Sequence, residues 1–409
     1  MATTAVKFDY QVRDRAGKTI NGHLEGPNQQ AVAAKLREMG YAPVSITVAK
    51  GSALQKEISI PGFAKKVKTE DLAVFSRQFA TMINSGVSLI RSLNILAEQT
   101  ENEKLADIIK VVRSDVEEGQ SLSDAVAKHP DTFPKLYVAM VRAGETAGML
   151  DSVLLRVADT MESDVALKRK IKSALTYPVV VLIMALVLCG VMLVFIVPTF
   201  VGLFESLGGE LPLPTKVMLA LSSLLRSFWY VIMFLPVLAL KAFQQARKNP
   251  DVRFQLDRLK LKLPVFGNLF HKIALSRFAR NLGTLLRAGV PILTALEITA
   301  DTVNNGVIGN ATNDVKTSVK EGESVARPLA QHEVFPPMVV QMLAVGEETG
   351  AMDEMLVKIS DFYDGEVTAT TESLTAMLEP LMIGVLGGIV GAMVIALYMP
   401  MFKIFDLIQ

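Results

Sequence analysis

Gly144-Glu145-Thr146-Ala147-Gly148-Met149-Leu150-Asp151 returns 202 residues later (346 − 144) as Gly346-Glu347-Glu348-Thr349-Gly350-Ala351-Met352-Asp353. Working outward, Pro178 returns as Pro380 and Pro198-x-Phe200 as Pro400-x-Phe402 at the same offset. Upstream, Glu118-Gly119-x-Ser121 returns as Glu321-Gly322-x-Ser324 at an offset of 203 (321 − 118). So do Phe75, Arg77, Thr81, Gly86, Val87 and Leu93, as Phe278, Arg280, Thr284, Gly289, Val290 and Leu296. Each copy runs from a polar helical stretch into a long apolar one. The pattern predicts a duplicated helical bundle wired to duplicated membrane helices, the architecture of a scaffold.

Composition sets the class. The chain has 409 residues, half of them hydrophobic, with a net charge of +1 and a mean hydropathy of +0.36. That is too apolar for an ordinary soluble protein and too neutral for nucleic acid to be a direct partner. The excess lies in three runs, predicted as spans at 178–204, 217–240 and 380–402. The first and last contain no charged residue, and both exceed the roughly 20 residues that cross a bilayer. The middle run is interrupted by Arg226, read as snorkelling near a span end; a break there leaves a shorter tilted span. Cys189, the single cysteine, lies in the first run and reads as a packing residue.

Charge orients the spans. Lys168, Arg169, Lys170 and Lys172 precede the first, and Lys241, Arg247, Lys248 and Arg253 follow the second. The loop between them, with Glu205 and Glu210, is short and slightly acidic. The positive-inside bias predicts cytoplasmic bundles and N-terminus, with the C-terminus outside. Gly384, Gly387, Gly388 and Gly391 form interleaved small-xxx-small spacings, which predict a face that packs on another helix.

Residues 1–50 read as a small α+β unit of ββαβ order. Alternation at Phe8, Tyr10 and Val12 marks a strand, Asp14 to Gly17 a turn, and Asn28 to Met39 a helix ending before Gly40. Residues 51–68 are a linker. Bundles are predicted at 69–172 and 253–370, each of about six short helices. The first has Leu72, Phe75, Phe79, Met82 and Ile83 on one face. Gly86 and Gly289 are expected just past helix ends, where a left-handed turn is cheapest without a Cβ. Ser88 then reads as an N-cap, and Pro291 suits a first helical turn.

No reaction chemistry is legible. Gly17-Lys18-Thr19 lacks the earlier glycine of a P-loop and joins two strands. His23, His129, His271 and His332 are scattered without ligand spacing. The expectation is no enzyme, no cofactor and no metal. The Gly-Glu motifs carry more weight. Their structural reading is a helix–turn–helix corner, with Asp151 or Asp353 at the positive end of the next helix. Their functional reading is a partner-docking corner with Glu145, Glu347 and Glu348 exposed. Arg77 and Arg280 read as pairing with acids inside the bundle.

These residues resemble the polytopic inner-membrane platform proteins of type IV pili and type II secretion. The likeness rests on Gly86-Val87 and Gly289-Val290-Pro291, the two Gly-Glu corners, and Lys170-Ile171 leading to Tyr177-Pro178 with Pro198 closing that span. It implies a platform that couples hexameric cytoplasmic ATPases to polymerisation of pilin or pseudopilin subunits. It also implies contact with other inner-membrane assembly proteins and with further copies of itself. The rival reading is a small polytopic transporter or channel component.

Overall fold

Apolar residues at helical spacing drive most of this chain into helices, and glycines in the left-handed region end them. The structure is a computed structural model that describes residues 6–13, 19–26, 29–48, 66–199, 212–246 and 249–408. It divides into two units, Met1–Lys66 and Val67–Gln409.

In the first unit β1 (Val6–Arg13) pairs antiparallel with both β2 (Thr19–Gly26) and β3 (Ala42–Val48), giving the order β2-β1-β3. Helix α1 (Gln29–Glu38) supplies Val32 and Leu36, which close a small core over Val12. Gly40, at φ +82°, ends that helix. The predicted turn at 14–17 and residues 51–65 of the linker lie outside the described residues.

In the second unit the first copy comprises α2 (Thr69–Asn84), α3 (Leu89–Gln99), α4 (Glu103–Glu117), α5 (Leu122–Ala127), α6 (Lys135–Ala147) and α7 (Leu150–Val191). A π-helical turn, Met192–Ile196, follows α7. Next come α8 (Leu213–Ser227), α9 (Trp229–Ala246) and α10 (Pro250–Lys262). The second copy then runs through α11 (Phe266–Arg287), α12 (Ile292–Thr302), α13 (Gly306–Lys320), α14 (Ala326–Leu329), α15 (Pro337–Thr349) and α16 (Met352–Ile408).

The repeated glycines do the same work twice. Gly86 and Gly289 both sit at φ +81°. Val87 N–H donates to the Met82 carbonyl at 3.0 Å and Gly86 N–H to Ile83 at 3.0 Å. Val290 and Gly289 donate in the same way to Leu285 and Leu286. These paired bonds satisfy carbonyls that the helix end leaves free. Two cap expectations are corrected. Pro291 is the N-cap itself, with extended ψ, and the helix begins at Ile292. Ser88 holds the N-cap position, but its hydroxyl makes no capping bond.

One apolar core runs through both copies, from Phe75, Phe133 and Tyr137 to their neighbours' counterparts Phe278 and Phe335. The rings of Phe133 and Tyr137 meet at a tilt with centroids 5.0 Å apart, and those of Phe278 and Phe335 likewise at 4.9 Å. Total burial pushes the Tyr137 hydroxyl pKa up.

Helices α7 and α16 are the spine. Leu150–Thr199 and α16 are the two described helices long and apolar enough to cross a membrane. At 1.5 Å per residue they extend about 75 and 85 Å, more than twice a hydrocarbon core. Both run unbroken through their prolines, Pro178 and Pro380. Leu167 of α7 shares a buried cluster with Val367 and Leu374 of α16. Farther along, Leu193 and Val197 meet Met393. The spines are therefore parallel and in register with the repeat.

The predicted span at 217–240 is not one helix. It breaks at Phe228, between α8 and α9. Helix α8 instead joins the far ends of the spines. Thr215 Oγ1 donates to the Ala396 carbonyl of α16 at 2.7 Å. Arg226 donates through Nε and Nη2 to the Val194 carbonyl in the π-helical turn. The guanidinium stays exposed while it bonds this main-chain carbonyl, and the break after Ser227 matches the interruption near Arg226 that is the alternative to a single long span.

Each copy clamps its first helix to its spine with an arginine. Arg77 bonds Glu162 through two nitrogens, at 2.7 and 2.6 Å, and Asp159 at 2.5 Å. That hydrogen bonding holds the Glu162 carboxyl below its usual range. Arg280 pairs with Asp364, whose other oxygen accepts from Ser276 at 2.5 Å. Burial separates the two sites: the side chain is 35% exposed at Arg77 and 10% at Arg280. Arg280→Ala empties a buried position and leaves a half-buried Asp364 without its cation, and is expected to cost about 2 kcal/mol. Arg77→Ala is expected to cost less than about 1 kcal/mol. Thermal unfolding of the detergent-solubilised protein measures both, and equal losses would contradict this ranking.

Candidate functional site: the paired Gly-Glu corners

The repeated motif folds as a tight corner at the start of each spine. Helix α6 ends at Ala147 and α15 at Thr349. Gly148 and Gly350 follow at φ +69° and +70°. Gly148 N–H donates to Glu145 at 3.2 Å and Met149 N–H to Gly144 at 2.9 Å. The chain then reverses directly into α7 or α16.

Gly144 and Gly346 permit this reversal by close approach. A Cβ at Gly144 would lie 2.9 Å from the Val153 Cβ. At Gly346 it would lie 2.9 Å from the Met352 Cα. Both distances fall below real contacts, so a side chain would push the incoming helix off the spine.

The glutamates point into the fold, which corrects the expectation that Glu145 and Glu347 present exposed carboxylates. Glu145 accepts from the main-chain N–H of Leu122 and, at 2.9 Å, of Ser123. These are the first two residues of α5. Glu347 accepts from Val325 N–H at 2.9 and 3.0 Å and from Ala326 N–H at 3.3 Å, at the start of α14. Each carboxylate neutralises otherwise orphaned donors at the positive end of a short helix. Ser121 and Ser324 complete those ends, accepting from Asp124 N–H at 3.1 Å and Arg327 N–H at 3.3 Å.

The outward face of each corner is carried by other residues. Glu348, Thr146, Asp151 and Arg142 are exposed. Arg142 reaches Asp124 at 2.8 Å, and Asp353 reaches Arg287 at 3.3 Å. Because α7 and α16 run parallel and in register, the two corners stand at the same end of the spines. Each lies 28 residues, about 42 Å, before its membrane proline (178 − 150 and 380 − 352).

The remaining sequence-singled residues fall in two places. Arg77 and Arg280 lie within the bundles on the first helix of each copy, and Gly86, Gly289 and Pro291 at the turns that follow those helices. Gly384, Gly387, Gly388 and Gly391 lie in the apolar half of α16. A Cβ at any of them would meet nothing within 4 Å. That face has no partner among the described residues. The sequence reading missed the Glu162–Asp364 correspondence, though the 202-residue offset links these two acids as it links the corners.

Comparison with known proteins gives a consistent picture. The model for "Type II secretion system (T2SS), protein F" matches twice, at residues 75–198 and 278–400. The model for the N-terminal domain of that protein matches residues 1–47. The chain is 41% identical over 403 residues to "Type IV pilus assembly protein PilC" of Myxococcus xanthus, covering 98% of this chain and 96% of that one. It is 44% identical over 398 residues to the protein of that name in Thermus thermophilus, covering 97% and 98%. It is 31% identical over 402 residues to "Type II secretion system protein F" of Vibrio cholerae, covering 98% and 99%.

Removing the internal caps tests the corner. Glu145→Ala and Glu347→Ala each leave two main-chain donors unpaired and are expected to cost about 1–2 kcal/mol. Glu348→Ala, on the exposed side, is expected to change stability by less than about 0.5 kcal/mol. Chemical denaturation checks this; a Glu348 effect as large as the Glu347 effect would contradict it.

Proposed function

The chain belongs to the type II secretion system protein F family, and from that membership we infer that it is an inner-membrane platform of a type IV pilus or type II secretion machine. Its partners in this reading are a hexameric cytoplasmic ATPase, pilin or pseudopilin subunits, other inner-membrane assembly proteins and further copies of itself. The observation that carries the reading is the pair of parallel spines. Each starts at an exposed corner, runs through the bundle core and continues without a break into an apolar half.

A rod of this kind transmits displacement. A helix clamped along one side by Arg77 or Arg280 and packed on its twin moves as a body. A motor that engages the corners from the cytoplasm would displace the apolar halves some 40 Å away. Pilin helices in the bilayer would meet those halves, and the open glycine face of α16 suits such a helix or another platform copy.

The bilayer arrangement follows from charge. Lys168 to Lys172 flank the apolar half of α7, and Lys241 lies near the end of α9. With α9 as a short second crossing of about 27 Å, both bundles stay on the cytoplasmic side. No catalytic step is assigned to this chain.

Two measurements test this reading. Deleting the chain in its host is expected to abolish pili, or secretion of pseudopilin-dependent cargo, while ATPase and pilin levels stay normal. A photo-crosslinking residue at Glu348 is expected to capture the ATPase. Normal assembly in the deletion strain, or no ATPase adduct from position 348, would reject it.

A further inference from the structure

A cleft of about 520 Å³ opens where the two copies meet. Lys135 and Lys168 of the first copy face Arg277 and Arg253 across it, with only Asp164 and Asp301 as acids. Lys135 pairs with Asp301 at 2.7 Å. Asp164 lies 3.9 Å from Arg277, whose side chain is 18% exposed and whose buried Nε has no hydrogen-bond partner. Lys168 reaches only the Thr69 hydroxyl, at 3.1 Å. The Arg253 guanidinium is exposed and has no acid beside it among the described residues.

The repeat shows that three of these cations are not shared by the two copies. The counterpart of Arg277 in the first copy is Val74 (277 − 203). Those of Lys135 and Lys168 in the second are Pro337 and Thr370 (135 + 202 and 168 + 202). Buried scaffold positions such as Phe75 and Phe278 agree between copies. Ion pairing between the copies accounts for two of the cleft's cations and leaves two over.

We propose that this cleft binds a phosphate-class oxyanion. Its surplus of two positive charges matches a dianion, and guanidinium forks and ammonium groups approach from both copies. An oxygen at the Arg277 Nε would satisfy a donor now costly to leave unpaired. The volume suits a ligand of nucleotide or headgroup size. An anion here would bridge the two copies, so its binding favours the joined arrangement.

The test uses the full-length protein in nanodiscs of zwitterionic lipid, with inorganic pyrophosphate as the probe. Pyrophosphate is expected to raise Tm by about 2–4 °C over sodium chloride of equal ionic strength. Arg253→Gln is expected to leave the ligand-free Tm unchanged and to remove most of the rise, and Arg277→Gln to remove it as well. No rise beyond that of chloride, or an undiminished rise in Arg253→Gln, overturns the proposal. Repeating the titration with phosphatidylglycerol in the disc separates the sources, and either result upholds the site. A suppressed rise identifies a lipid headgroup as occupant, and a retained one identifies a soluble phosphate.

Discussion

Everything in the larger unit hangs on helices α7 and α16 being continuous. A helix end exposes unpaired carbonyls and N–H groups, which hydrocarbon cannot satisfy. By starting each helix in the polar bundle and running it through to its apolar half, the chain avoids placing a helix end at the membrane surface. The same continuity joins bundle and membrane mechanically. The corners, the arginine clamps and the shared core all serve to hold these two rods in one register.

Much of this was legible in the residues, because the chain carries its own comparison. The offsets of 203 and 202 residues located Gly86 and Gly289, the two corners and the paired prolines. The glycines could be placed because a left-handed turn restricts residue choice so strongly. The corner glutamates were harder. An acid beside a glycine turn looks exposed, and only the fold brings the ends of α5 and α14 to Glu145 and Glu347 across 22 or so residues. The interruption near Arg226 was legible as an alternative, but its acceptor, a main-chain carbonyl more than 30 residues upstream, was not.

Duplication also separates scaffold from specialisation. Positions that agree between copies cap helices, fill the core or clamp the spines. Arg77 with Glu162 and Arg280 with Asp364 are the same device at two levels of burial. Among the positions that differ, Val74 against Arg277 and Lys135 against Pro337 place charge where one copy faces the other. A duplicated chain folded onto itself cannot treat both copies alike at that seam, and there its charges depart from the repeat. The glycine face of α16 is a second asymmetric feature, open where α7 has a single glycine, Gly190.

A platform of this kind requires both bundles on the motor's side of the membrane, at the head of the two rods. Single cysteines introduced by Glu103→Cys, Glu321→Cys and Glu205→Cys in a Cys189→Ser background probe this directly with a membrane-impermeant maleimide. Labelling of intact inner-membrane vesicles of native orientation is predicted at position 205 alone, with 103 and 321 reacting only after lysis. Reaction at 103 or 321 before lysis would contradict the account.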